Sequence, residues 1–96
     1  METAAVALPG NARIRYNQGL LLSRMNRRDE ALVALEQGLK QAPDNADLLY
    51  SLIYLHALAG ERSEAYAYVQ RMRKAAPDDI RLQGIEPYWQ KYESTN

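Results

Sequence analysis

Between residues 31 and 42 a stripe of apolar and small side chains is formed by Ala31, Leu32, Leu35, Gly38, Leu39 and Ala42, with Val33 and Ala34 the apolar residues off it and polar residues at the other positions. That spacing, i, i+1, i+4, i+7, i+8 and i+11, lies along one face of a 3.6-residue helix, so the segment reads as amphipathic helix with a single buried stripe. The same offsets counted from Ala65 give Ala65, Tyr66, Val69, Met72, Arg73 and Ala76. Arg73 is the one departure, accommodated if its aliphatic stem packs and its guanidinium reaches water. The two stripes stand 34 residues apart.

The same offset recurs in residues of other kinds. Pro9, Pro43 and Pro77 are spaced by it, in the contexts Leu8-Pro9-Gly10-Asn11-Ala12, Ala42-Pro43-Asp44-Asn45-Ala46 and Ala76-Pro77-Asp78-Asp79-Ile80. It also superposes Glu30-Ala31 on Glu64-Ala65, Leu35 on Val69, Asn26 on Gly60 and Tyr16 on Tyr50. Proline cannot continue a helix and biases the residue before it toward extended backbone, so each proline closes one helix and opens a turn. The Asp or Asn residues after it can cap the next helix by accepting its orphan N–H groups. Asn26 and Gly60 fall midway through each unit, where the chain must adopt left-handed backbone to stop a helix and reverse. Each unit is therefore helix, tight turn, helix, proline turn, and Ala31 and Ala65 let the paired helices approach closely.

In these features the chain resembles the tetratricopeptide repeats, whose pattern is W-x₂-L-G-x₂-Y, then A-x₃-F, then P. Residues 12–45 match with Gly19, Leu22, Ala31, Leu35 and Pro43, with Arg15 and Gln18 where the pattern has Trp and Leu. Residues 46–79 match with Leu49, Leu52, Ala65, Val69 and Pro77, with Ile53 in place of glycine and His56 in place of Tyr. The resemblance implies an all-α fold of antiparallel helix-turn-helix repeats, an α-solenoid segment. Residues 1–11 then read as the tail of a preceding repeat or a frayed leader, residues 12–45 and 46–79 as two full repeats, and residues 80–96 as a C-terminal capping helix. Pro87 would remove a hydrogen bond and clash with the carbonyl of Gln83, so that helix is expected to kink or break between Gly84 and Pro87.

Length and composition narrow the function. Ninety-six residues make one small domain, and 12 Lys+Arg balance 12 Asp+Glu with the two signs interleaved, unlike the basic stripe that phosphate binding needs. The absence of Cys removes disulfides, thiolate nucleophiles and cysteine-ligated metals from consideration. No window approaches the 18 or so apolar residues of a membrane span, and Ala4 to Leu8 is too short for a signal-peptide core, so compartment is not specified. His56 is the single histidine and reads as a structural residue on a helix face rather than a catalytic or zinc ligand. Asp29 with Glu30, Ser63 with Glu64, and Asp78 with Asp79 sit in or before first helical turns, where negative groups offset the dipole. Arg27 with Arg28, and Arg71, Arg73 and Lys74, read as solvated cations. No phosphate loop, nucleophile elbow or metal-ligand spacing appears, so no enzyme activity, cofactor or metal is expected.

Seven Tyr and no Phe favour aromatic surface with a polar tip. The family resemblance places the first helix of each hairpin along an inner face that holds an extended peptide or a partner's helix. Carried over by position, that face comprises Arg13, Tyr16, Leu20 and Arg24, then Asp47, Tyr50 and Tyr54, and Tyr88 from the last helix. The alternative is that Tyr16 and Tyr50 fill space between neighbouring first helices. The Lys and Asn clamp with which some family members hold a C-terminal carboxylate is absent, its places being taken by Tyr16, Leu20 and Ser51. The expected partner is a protein or peptide, with neither nucleic acid nor membrane insertion. The alternatives are a scaffold segment that self-associates or stacks through an open apolar repeat edge, as a homo-oligomer for instance, and a docking arm of a larger enzyme.

Overall fold

The computed structural model describes residues 10–94. Five helices follow one another along them: α1 (Gly10–Arg24), α2 (Arg28–Gln41), α3 (Ala46–Leu58), α4 (Arg62–Ala75) and α5 (Ile80–Ser94). The expectation for residues 1–9 lies outside the described residues.

The turns follow from local backbone chemistry. Asn26 has φ 62° and Gly60 φ 76°, and both are flanked by the same pair of hydrogen bonds. After α1, Asn26 N–H donates to Ser23 O at 3.0 Å and Arg27 N–H to Leu22 O at 2.9 Å; after α3, Gly60 N–H donates to Ala57 O at 3.1 Å and Glu61 N–H to His56 O at 2.9 Å. This is the Schellman closure, in which a left-handed residue lets the chain turn back while the last carbonyls stay satisfied. The proline turns are equally alike: Ala42 N–H reaches Gly38 O at 2.9 Å, and Ala76 N–H reaches Met72 O at 2.8 Å. The following helices are capped by the second residue after each proline. Asn45 Oδ1 accepts from Leu48 N–H at 3.1 Å, and Asp79 Oδ1 from Arg81 N–H at 2.9 Å.

The hairpins α1/α2 and α3/α4 close over one continuous core. Leu35, Leu48, Leu49, Leu52, Val69, Met72 and Trp89 are its largest fully buried side chains, and Ala31 and Ala65 are sealed completely. Close approach is visible at two glycines. A Cβ on Gly19 would stand 2.5 Å from Leu35 Cδ2, and one on Gly38 would stand 2.9 Å from Arg15 Cβ and 3.0 Å from Leu48 Cδ1.

Helix α5 lies against α4 through Leu82, Ile85, Glu86 and Trp89, an i, i+3, i+4, i+7 face. Trp89 is 1% exposed, and its ring meets that of Tyr66 at 5.7 Å. Arg73 does not send its head to water: Nε and Nη2 grip both oxygens of Glu86 at 3.0 and 2.8 Å. Of the kink or break expected between Gly84 and Pro87, the break does not occur: the helix continues from Ile80 to Ser94 with Pro87 inside it. The carbonyl orphaned by Pro87 belongs to Gln83, an exposed residue, while Leu82 and Trp89 anchor the two sides of Pro87 in the same core.

Candidate groove between the first helices

Helices α1 and α3 are the first members of their hairpins and lie side by side. Along α1, positions 16, 19, 20, 23 and 24 share a face; along α3, positions 50, 51, 54 and 55 do. Together with Leu35 beneath them they line a groove of about 410 Å³ with no Asp or Glu in its walls.

Of the residues assigned to the inner face from sequence, Tyr16, Leu20, Arg24, Tyr50 and Tyr54 line this groove. Tyr54 is 54% exposed, and Tyr16 and Leu20 are half-buried. Tyr16 and Tyr54 make no hydrogen bond or ring contact with other described residues, and Arg24, the one charged residue of the wall, has no ion-pair partner among them. Arg13 is exposed but stands apart from the groove lining. The side chain of Tyr88 lies outside the described residues.

Asp47 is placed differently from its expected role. Its carboxylate takes Arg81 Nη1 at 3.0 Å, and the same guanidinium binds Asp79 Oδ2 at 2.7 Å and covers the Tyr50 ring at 5.1 Å. Asp47 thus ties the start of α3 to the start of α5 and is not part of the groove wall. The hydrogen bonds from the Arg81 side chain, with that from its backbone N–H, hold the Asp79 carboxyl down to about 2. At the opposite end of the hairpins, Glu61 Oε1 receives Arg28 and also pairs with His56 Nδ1 at 2.7 Å. The His56 hydrogen bond is the largest influence lowering the Glu61 carboxyl, followed among the stabilising contacts by Arg28. His56 is buried and its ring stacks on Tyr68 at 5.7 Å, so the lone histidine is spent on the packing between the two helices of the α3/α4 hairpin.

Gly19, Ser23, Leu35, Ser51 and Leu55 complete the lining and were not among the residues assigned from sequence. Extending the i, i+3, i+4 series from Tyr16 and Leu20 reaches Gly19 and Ser23, and the neighbour of Tyr54 reaches Leu55. Leu35 enters only because Gly19 has no side chain to cover it. Ser51 donates to Asp47 O at 2.9 Å, so its hydroxyl proton is already committed within α3.

No group of three or more His, Cys, Asp or Glu side chains that could hold a metal ion occurs among the described residues. No helix among them is long and apolar enough to cross a membrane. A family model described as Tetratricopeptide repeat matches residues 22–86, more than half of the chain. Neither the curated proteins nor the solved structures searched give a match.

Proposed function

The chain belongs to the tetratricopeptide repeat family, whose repeats generally mediate protein–protein interaction, and from that premise we propose that its α1–α3 groove holds a peptide or helix of a partner protein. The observation that carries the reading is the state of the wall: two tyrosines and an arginine that make no ring contact or ion pair with the described residues flank apolar Leu20, Leu35 and Leu55. Tyr and Arg supply large contact area with a polar tip and dominate binding hot spots. A wall without carboxylates suits a segment that offers apolar anchors and at least one acceptor for Arg24. The role is that of an interaction module with no chemistry of its own.

A randomised peptide library displayed on phage and panned against the full chain tests it. Selected peptides are expected to bind the wild type and to lose about tenfold or more in affinity, about 1.4 kcal/mol, with Tyr54→Ala or Arg24→Ala. Both side chains are exposed, so thermal melting should be unchanged. Selected peptides that bind both variants as tightly as the wild type would place recognition elsewhere on the surface.

A further inference from the structure

Repeat symmetry exposes an uncovered face on α1. On α3, Leu48, Leu52 and Leu55 are 0%, 0% and 7% exposed, and Leu48 lies against Gly38 of the preceding hairpin. The equivalent positions one repeat earlier are Ile14, Gln18 and Leu21 on α1. Ile14 is 52% exposed, Leu21 57%, and Gln18 is exposed as well. Met25, directly after the helix and 51% exposed, continues the line, its N–H still bonded to Leu21 O at 3.0 Å.

This edge is not a copy of the α2–α3 seam. Where α3 buries Leu49 and Leu52, α1 has Arg15 and Gln18, bonded to each other at 3.0 Å. The apolar line that remains, Ile14, Leu21 and Met25 with Gln18 among them, has the 4-3-4 spacing of alternating d and a positions in a heptad. So narrow a stripe seats one helix rather than a hairpin.

We propose that the helix it seats is α1 of a second copy of this chain, antiparallel about a two-fold axis, with Ile14 opposite the partner copy's Met25 and Gln18 opposite its Leu21. In that register every member of the line meets another member, so the seam is self-complementary, as a two-fold interface requires. Charge selects the same direction. Arg13 and Arg15 stand at one end of the edge; Asp29 and the Arg27-bound Glu30 stand at the other, beside Leu22 and Val33. Antiparallel pairing brings Arg13 and Arg15 of one copy toward Asp29 of the next, Glu30 being neutralised by its own Arg27, whereas parallel pairing sets Arg13 and Arg15 against the same arginines of the other copy. Gln18, a polar residue at an a position, fixes register at some cost in strength. Arg24 lines the groove instead, so the interface leaves the proposed peptide site open and stands or falls independently of it. One short helix per copy covers less than the ~800 Å² per partner typical of stable complexes, so the dimer dissociates in the micromolar range or above.

Sedimentation and light scattering of the full chain from micromolar to millimolar concentration read the mass. The wild type is expected to rise toward twice its 10.9 kDa monomer mass, while Leu21→Lys and Ile14→Lys stay monomeric with unchanged circular dichroism. Because the chain contains no cysteine, register can be read directly. Ile14→Cys and Met25→Cys proteins, mixed and mildly oxidised, should form the 14-to-25 disulfide in preference to either homodimer. A wild type monomeric at millimolar concentration overturns the proposal. So does a dimer indifferent to both lysine variants, which would be seated elsewhere, or a preference for the 14-to-14 and 25-to-25 links, which would make the pairing parallel.

Discussion

Two glycine-to-alanine substitutions, chemically identical and both inside helices, are expected to move stability in opposite directions. Gly19 lies in α1 and Gly84 in α5. Alanine in a helix interior is favoured over glycine by roughly 0.5–1 kcal/mol, because glycine loses more backbone entropy on folding. At Gly84 a Cβ meets nothing within 4 Å, so Gly84→Ala should gain that amount in full. At Gly19 the new methyl would stand 2.5, 2.6 and 3.3 Å from Leu35 Cδ2, Cγ and Cδ1. Leu35 is 1% exposed, and the obstructing atoms include its branch point, so no swing of a free end relieves the clash. Overpacking of this kind costs roughly 1–3 kcal/mol, which set against the propensity gain leaves Gly19→Ala destabilised by up to about 2.5 kcal/mol. For a domain of this length, each 1 kcal/mol corresponds to about 4–8 °C in melting temperature. Thermal and urea unfolding followed by circular dichroism read both variants, with the midpoint shifting at constant slope if only stability has changed. A Gly19→Ala protein as stable as Gly84→Ala would show that α1 and α2 are not in close contact at this point, and the tight hairpin packing inferred for the first repeat would be wrong.

Ala65→Leu, and equally Ala31→Leu, adds three carbons at a site with no exposed surface, and should cost roughly 1–3 kcal/mol in urea unfolding; a neutral result would mean that the helices of that hairpin do not approach closely at these positions. Asp79 predicts an acid limb. Its pKa is depressed in the folded chain from 3.8 to about 2, so its stabilisation is complete above pH 4 and is lost as pH falls from about 4 toward 2. Asp79→Ala should lower stability at neutral pH by about 0.5–2 kcal/mol as a lost cap and flatten that part of the pH profile, and a variant whose acid limb matches the wild type would refute the assignment.

The repeat and its turns were legible because they are set by short-range chemistry. Only a residue tolerant of left-handed backbone can sit at Asn26 and Gly60, and only small residues fit at Ala31 and Ala65, so the sequence carries these constraints position by position. Tertiary choices were less visible. A helical wheel gives the residues that share a face of α3, but not that α5 begins beside it, and so Asp47 was assigned to a binding surface when Arg81 holds it in the fold. For a related reason Pro87 does not end its helix. Its local cost is real, yet Leu82, Ile85, Glu86 and Trp89 contact α4 on both sides of it, and that packing outweighs one missing hydrogen bond. Arg73, which broke the apolar stripe of α4, looked like a tolerated defect and is instead half of a two-pronged bond across α4 and α5.

The tyrosines show how composition overcounts a binding face. An excess of Tyr over Phe is consistent with an aromatic surface, but part of that excess serves the interior. Tyr66 packs its ring beside Trp89 while its hydroxyl accepts from Gln70 at 3.0 Å, and Tyr68 stacks on His56 beneath the Arg71 guanidinium. Burial pushes the Tyr68 hydroxyl above its usual pKa, the expected mark of a phenol used for packing. Tyr50 stands between the two classes, in the groove wall yet held under Arg81. Among the described tyrosine side chains, Tyr16 and Tyr54 make no hydrogen bond, ring stack or cation–π contact, although Tyr16 packs in part against the core. The weight of the peptide-binding reading therefore rests on these two and on Arg24. A substitution at Tyr66 or Tyr68 that weakened a ligand would report damage to the scaffold, whereas one at Tyr54 reports on the surface itself.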